Sequence, residues 1–267
     1  MKGIVIAAGV GSRMGSLTDN APKCMLPINS RPLLHYTMDY LRAAGCNEIV
    51  VIVGYKADKV DAPGSTIVSN DDYANNNILH SLMSAAPYLD GPVMCSYSDI
   101  WVEPDIHKTL ADTEGDIALA VDGDWLPYYE GRKDHPVDEA ENVYFDNARK
   151  ARQVGKHLHP DNAESLICGE FLGLWRMSAA GTRLLRETFE ELDSRLDTEE
   201  PFQRAAVWRK AYITDIVQEL IDRGVDIDCA VIERGWAELD TVEDYQRLDE
   251  IAERQSLLTL CASRVEQ

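Results

Sequence analysis

A chain of 267 residues, 45% of them hydrophobic, is long enough for one large α/β domain with a real core and too apolar for a disordered polymer. Forty-six acidic against 26 basic side chains give a formal net charge of −20, which excludes broad nucleic-acid binding because that needs a basic surface to displace counterions. The same charge argues against an anionic membrane surface as partner. It reads as a solvated acidic surface, and the excess of arginine over lysine leaves adaptation to a salty cytoplasm open. The six cysteines form no Cys-x-x-Cys pair and no zinc spacing, so they read as reduced, mostly buried thiols. The apolar run at Ile4–Ile6 is too short for a signal peptide, and no segment has the apolar length of a membrane span; the expected location is the cytoplasm.

Strand and helix signals alternate from the start. Gly3 to Ala8 is a short buried-strand run, followed by a Gly/Ser loop. Residues from Pro32 to Ala44 carry apolar side chains at helical spacing and stop at Gly45. Strands are expected at 48–53, 65–69, 92–96, 116–121, 167–175 and 226–232, and helices at 78–86, 179–192, 213–223 and 242–255. Such alternation builds βαβ units around a mostly parallel sheet, with ligands at the carboxyl ends of its strands. The stretch 122–161 is less regular and rich in charge and aromatics. No repeat or low-complexity linker divides the chain. The reading is one domain over 1–267, with an insertion at approximately 122–165.

The residues from Ala7 to Pro27 carry the first chemistry. Gly9, Gly11 and Gly15, with Ala8 and Ser12, let the backbone approach a ligand and offer amide donors to an anion. Gly9 and Gly11 alone would serve equally well for a tight strand-to-helix turn. The loop is neither a Walker pattern nor a good dinucleotide fingerprint. What points to an anion is Arg13 just beyond the second glycine, followed by Pro22-Lys23 and Leu26-Pro27, in an otherwise acidic chain.

This series, Gly-x-Gly-Ser-Arg-Met, then Pro-Lys and Leu-Pro, resembles the signature of the sugar-phosphate and alcohol-phosphate nucleotidylyltransferases. The resemblance implies a Rossmann-like fold of the nucleotide-diphospho-sugar transferase type: a mixed, mostly parallel sheet flanked by helices, with a small inserted acceptor-binding lobe. It also implies that Gly9 and Gly11 cradle a nucleoside triphosphate, that Arg13 meets its distal phosphates and that Lys23 meets the α-phosphate. Asp99 closes a strand-like run, and Asp240 directly precedes the final helix. In the resembled family the corresponding aspartates hold the metal, so Mg²⁺ is the expected cofactor. From the residues alone, Asp240 could be a helix cap and Asp99 a loop aspartate. Glu238, two positions before Asp240, points the same way if that segment is extended.

The run from Ser69 to Leu82, with Asn70, Asn77 and Ser81, resembles the phosphocholine cytidylyltransferases and their phosphonate-activating relatives, where it lies beside base and ribose. Asn side chains can read both edges of cytosine, which favours CTP; the alternative for the same residues is a polar loop and helix cap. On the acceptor side, Trp125 and Tyr129 could build an aromatic cage, while Arg132, Lys133 and His135 could hold a tetrahedral oxyanion. The Gly-Arg-x-x-His-Pro segment resembles the phosphonate enzymes more than the choline enzymes; otherwise it is a solvated surface loop. Glu170, in Gly169-Glu170-Phe171, could meet an ammonium or hydroxyl group, or pair with a buried arginine. Asp215 is a helix cap or a pocket acid.

The expectation is therefore a Mg²⁺-dependent transfer of CMP from CTP to 2-aminoethyl- or 2-hydroxyethylphosphonate. Phosphocholine is the second choice of acceptor and a sugar 1-phosphate the third. A non-catalytic nucleotide-sensing homologue would have lost Lys23 or an aspartate, and all are present. The sequence leaves room for a homodimer and for Leu257–Gln267 docking on a neighbour.

Overall fold

The computed structural model describes residues 1–248. Its strands are β1 (Lys2–Ala7), β2 (Pro27–Ile28), β3 (Arg31–Pro32), β4 (Glu48–Val53), β5 (Thr66–Ser69), β6 (Val93–Tyr97), β7 (Ile100–Val102), β8 (Ile117–Asp122), β9 (Asn142–Phe145), β10 (Ala151–Gly155), β11 (Ile167–Met177), β12 (Asp228–Ile232) and β13 (Trp236–Glu238). The helices are α1 (Leu33–Ala43), α2 (Ile78–Met83), α3 (Pro104–Asp112), α4 (Ala179–Arg195) and α5 (Ile213–Asp222). Residues 242–248 are helical as well. The rest of the helix expected over 242–255 and the segment from Leu257 lie outside the described residues.

Nine strands make one sheet in the order β10-β9-β11-β6-β1-β4-β5, with β8 on the other side of β11 and β12 beyond it. The pairs β1–β4, β4–β5 and β1–β6 are parallel, while β11 runs antiparallel to β6, β8 and β9. The sheet is mixed and mostly parallel at its centre, as expected. Its strands read as unbroken apolar runs because both faces are covered. Ile4 and Ile6 of β1 face a cluster with α2, α4 and α5, and Val5 and Ala7 face the opposite cluster with α1 and α3. Trp175 and Trp208, both fully buried, fill the first layer. Among the described residues, no helix is long and apolar enough to cross a membrane.

Strands and helices expected within the described residues lie within three residues of their observed bounds. The elements not expected are short or masked by charge. Helix α3 starts with Pro104 at its first turn, a helix-start signal inside a polar segment. The stretch 122–161 contains β9 and β10, which extend the main sheet next to β11. Strands β7 and β13, three residues each, pair only with one another, in an antiparallel ribbon with Glu238 opposite Ile100. That ribbon decides where the site lies.

Candidate active site

The chain runs from β1 outward through β4 and β5, then returns to β6 on the other side of β1. A parallel sheet opens a crevice at such a reversal, at the carboxyl ends of its strands. The glycine loop follows β1 and Asp99 follows β6 at this edge. Gly11 adopts φ +65°, a left-handed conformation that a side chain disfavours, and an added Cβ would sit 3.3 Å from that of Lys23. Gly9 has open space where a side chain would stand. A short 3₁₀ turn over Ser12–Thr18 then carries Arg13, and a second at Lys23–Met25 carries Lys23.

The ribbon of β7 and β13 brings the two aspartates together. Asp99 immediately precedes β7 and Asp240 follows β13, and the Leu239 N–H donates to the Asp99 carbonyl at 2.7 Å. Their carboxylates converge on one cation: Lys23 Nζ lies 2.5 Å from Asp99 Oδ2 and 2.7 Å from Asp240 Oδ1. Arg13 Nη2 donates to Asp240 Oδ2 at 2.7 Å. Burial opposes the charge on Lys23, but the two carboxylates outweigh it and hold the ammonium above its ordinary value. Burial likewise pushes the Asp240 carboxyl up, and Lys23 and Arg13 overcome it, holding that group at about 2. Two carboxylates meeting at a single cationic point suit a hard, oxygen-liganded divalent ion. A second group, His135, Glu238 and Asp240, offers ligand atoms that all lie within 4.8 Å of one another. Its imidazole suits a transition ion better than Mg²⁺, and both of its carboxylates already face arginines.

A cavity of about 350 Å³ opens from this point. Gly9, Gly11, Ser12, Arg13, Lys23, Asp99 and Asp240 line one end. Glu238 and His135 stand beside Asp240, and beyond them the wall holds Glu139, Glu141 and Glu170 among the rings of Tyr97, Tyr129, Tyr212, Phe171 and Trp236, together with Lys156. Glu170 is 3% exposed and accepts a short hydrogen bond from the Tyr129 hydroxyl on Oε1. Its Oε2 has no hydrogen-bond partner among the described residues. Burial and the charge of Glu238 push the Glu170 carboxyl well above its ordinary value, against the Tyr129 hydrogen bond. Glu238 is pushed up to about 8 by burial and Asp240, against Arg132. Burial also raises Glu141, which accepts from Thr214 Oγ1 at 2.8 Å and from the Tyr97 hydroxyl at 3.3 Å.

A smaller space of about 120 Å³ adjoins the first along Gly9, Gly11, Lys23, Asn77, Ile78 and Asp99. Ala8, Tyr73, Asn76 and Ser81 also line it. Asn70 lies beneath it, 3% exposed, donating to Asn76 Oδ1 and Ser81 Oγ at 2.9 Å each. Asn77 donates from its side chain to the Lys210 carbonyl at 3.1 Å while facing both spaces.

Most of the residues singled out in the sequence thus meet at one place. Four do not reach the open space in the same way. Trp125 is buried against Tyr129 and Ala140, and Lys133 is exposed on the surface. Asn70 supports its loop from below. The Arg132 side chain is fully buried behind the wall, ion-paired with Glu238 at 2.8 Å and with Asp244 at 2.9 Å. Asp215 resolves to a cap: its Oδ2 accepts from the Tyr212 N–H at 2.7 Å and Oδ1 from the Arg204 N–H at 3.0 Å. Sequence reasoning missed Tyr97, Lys156 and Tyr212 as wall residues; Glu139 and Glu141, which follow the Gly-Arg-x-x-His-Pro segment and extend its resemblance to the phosphonate enzymes, were given no individual role. Tyr97, Lys156 and Tyr212 belong to no compact motif; the alternation over 142–145 was the available sign that this stretch enters the sheet.

The profile of the MobA-like NTP transferase domain matches residues 3–194. The chain belongs to that family. It is a nucleotidyltransferase, and the curated relatives it resembles include cytidylyltransferases. It is 27% identical over 259 residues to a CTP:phosphoglutamine cytidylyltransferase of Campylobacter jejuni, covering 92% of this chain and 98% of the relative. It is 28% identical over 248 residues to a CMP-5'-(3-aminopropyl)phosphonate synthase of Streptomyces rubellomurinus, covering 83% of this chain and 37% of the relative. Among solved structures, the fold matches the CTP:phosphocholine cytidylyltransferase of Streptococcus pneumoniae at a TM-score of 0.65, with 21% identity over 94% of this transferase and 98% of that chain. The inositol-1-phosphate CTP transferase of T. maritima matches at 0.70, with 20% identity over 94% and 96%.

Proposed function

We propose that the enzyme transfers CMP from CTP to a small acceptor carrying both a phosphonate and an ammonium group, 2-aminoethylphosphonate being the preferred example, and releases pyrophosphate. The observation that carries this reading is a single cavity with two unlike ends, Arg13 and Lys23 at one and buried carboxylates at the other. The relatives that activate phosphoglutamine and 3-aminopropylphosphonate support it. A hydroxyethyl acceptor would leave the Glu170 carboxyl, whose Oε2 has no hydrogen-bond partner among the described residues, without a cation.

In this reading the loop amides of Gly9 to Ser12 cradle the triphosphate, and Asn77 and Ser81 face the base or ribose from the smaller space. An acceptor oxygen attacks the α-phosphorus in line, the bond to the β-phosphate oxygen breaks, and pyrophosphate leaves with that electron pair. Lys23 and Arg13 neutralise charge on the phosphates as it shifts, and fixed charges of this kind act without reorganising. Asp99 and Asp240 would hold Mg²⁺, which when bound shields the triphosphate from these carboxylates. Glu170, Glu238 and Tyr129 orient the acceptor's ammonium. Phosphocholine is the second reading, favoured by the aromatic walls at Tyr97, Tyr129, Tyr212 and Trp236.

The test is a pyrophosphate-release screen crossing four nucleoside triphosphates with 2-aminoethylphosphonate, 2-hydroxyethylphosphonate, phosphocholine and glucose 1-phosphate in Mg²⁺. Turnover with CTP and the aminophosphonate is expected. Turnover confined to a hexose phosphate or to a nucleotide other than CTP overturns the proposal.

A further inference from the structure

Arg132 lies behind the cavity wall and faces two carboxylates at once. Its Nη1 is 2.8 Å from Glu238 Oε1, and its Nε donates to Asp244 Oδ1 at 3.0 Å. Its guanidinium lies over the rings of Tyr128 and Tyr129, 4.6 and 4.9 Å from their centroids. The side chain is fully buried, and that of Asp244 is 1% exposed. A charge pair this deep in the protein is strongly destabilised when one partner is removed.

Asp244 spends its other oxygen on the turn that carries Asp240. Oδ2 accepts from the Thr241 N–H and hydroxyl at 2.9 Å each, and from the Asp240 N–H at 3.3 Å. The Asp244 N–H donates back to Thr241 Oγ1 at 3.2 Å. This is a capping box at the start of the last described helix, with an aspartate in the position that usually holds Glu or Gln. An ordinary cap would leave the second carboxylate oxygen in water. Here it meets an arginine from a segment more than a hundred residues earlier. That segment also supplies Tyr129, which bonds Glu170, and the Tyr128 hydroxyl, which accepts from the Glu238 N–H at 2.9 Å.

We propose that Arg132 and Asp244 act as one clamp, joining the acceptor-side segment 126–135 to the turn that presents Asp240, and that both are positioning residues for the transfer rather than substrate contacts. The clamp places Asp240 and Glu238 side by side at the boundary between the two ends of the cavity. This inference rests on the proposed function in taking Asp240 as a ligand of the nucleotide-bound metal. Groups that orient a metal ligand without touching the metal affect its affinity by about 10- to 100-fold.

Two measurements on the full chain test it. Asp244→Asn keeps an amide oxygen for the Thr241 cap and removes the charge facing Arg132; Arg132→Met removes the other partner, and Arg132→Lys keeps the charge without the fork. In substrate-free protein, hydrogen exchange over residues 126–135 should quicken at least tenfold in Asp244→Asn, although the substitution is remote in sequence. With CTP present and no acceptor, Mn²⁺ binding read by electron paramagnetic resonance should weaken roughly tenfold in Asp244→Asn and Arg132→Met. Arg132→Lys should recover part of it, and the Asp244→Asn/Arg132→Met double variant should be no worse than the poorer single. Unchanged exchange in 126–135, unchanged Mn²⁺ affinity in a folded variant, or losses that simply add in the double variant would each overturn the clamp. A wild-type protein that shows no CTP-dependent Mn²⁺ binding would count against the proposed function, and the exchange measurement then still decides the physical coupling of the two segments.

Discussion

The two ends of the cavity solve opposite electrostatic problems. At the glycine-loop end, Lys23 and Arg13 meet Asp99 and Asp240 at 2.5–2.7 Å, so each buried charge has a partner and Asp240 stays ionised. On the acceptor side, from the boundary inward, Glu238 and Glu170 crowd together, their carboxyls are pushed toward the neutral form, and Glu170 Oε2 lacks a hydrogen-bond partner among the described residues. The first end is preorganised around its own cations. At the second, Arg132 pairs with Glu238 and Lys156 with Glu139, while Glu170 has no cationic partner among the described residues. In a chain of net charge −20, the difference teaches that the proposed triphosphate end meets each of its carboxylates with a cation, while the acceptor pocket keeps one buried carboxyl, Glu170, without one.

Breaking the first end should have the largest effect. Lys23→Met, Asp99→Asn and Asp240→Asn should each lower kcat by about 10²-fold or more, as loss of a fixed charge-stabilising group does. Steady-state pyrophosphate release checks this, and a wild-type rate in either aspartate variant would return that residue to a structural role.

The junction between the ends comes next. At Gly173, β11 switches partner from β9 to β6, with φ +78°, and an added Cβ would lie 2.3 Å from the Tyr97 ring. Gly173→Ala should cost about 2 kcal/mol by denaturant unfolding. Because Tyr97 bonds Glu141, it should also raise the acceptor KM while sparing the KM for CTP. Equal damage to both constants would mean that the two ends are not separable.

Glu170→Gln probes the second end directly. It keeps the Tyr129 contact and removes the carboxylate, so acceptor kcat/KM should fall roughly tenfold, the scale of one charged hydrogen bond. The KM for CTP should stay put. A compensating preference for a neutral hydroxyalkyl acceptor in this variant would sharpen the reading further.

The smallest effect lies away from both ends and serves as a control on pH. Burial lowers His107 in α3 from 6.5 to about 4, against its contact with the Glu103 carbonyl. Its folded value is depressed, so the unfolded chain binds the proton first. This contribution to stability is intact above pH 6.5 and is lost as the pH falls toward 4. Thermal melts of His107→Gln should show a shallower decline over that window, without any change in the pH profile of turnover at neutral pH. A slope identical to wild type would remove His107 from the account.

How much of this was legible in the sequence follows the same division. The phosphate end was readable because its parts lie close along the chain: Gly9, Gly11, Arg13 and Lys23 fall within one loop, and a cluster of that composition needs an anion. Asp99 and Asp240 were nameable one at a time. The acceptor end drew on β6, β11, the 126–141 segment, Lys156 and Tyr212, and no short window contains that pattern. Arg132 illustrates the limit. Its neighbours suggested a free cation for an oxyanion, yet burial against Asp244 and Glu238 gave it a different environment.

By itself the sequence determined the α/β alternation, the central strands and the anion-binding loop, because these rest on local periodicity, glycine conformation and residue spacing. Only the tertiary structure decided that Asp99 and Asp240 share a cation, since the pairing of β7 with β13 is a three-residue ribbon with no signal of its own. It also decided which charges remain available. A side chain's charge state and reach depend on what is packed around it, and those neighbours are supplied by distant parts of the chain.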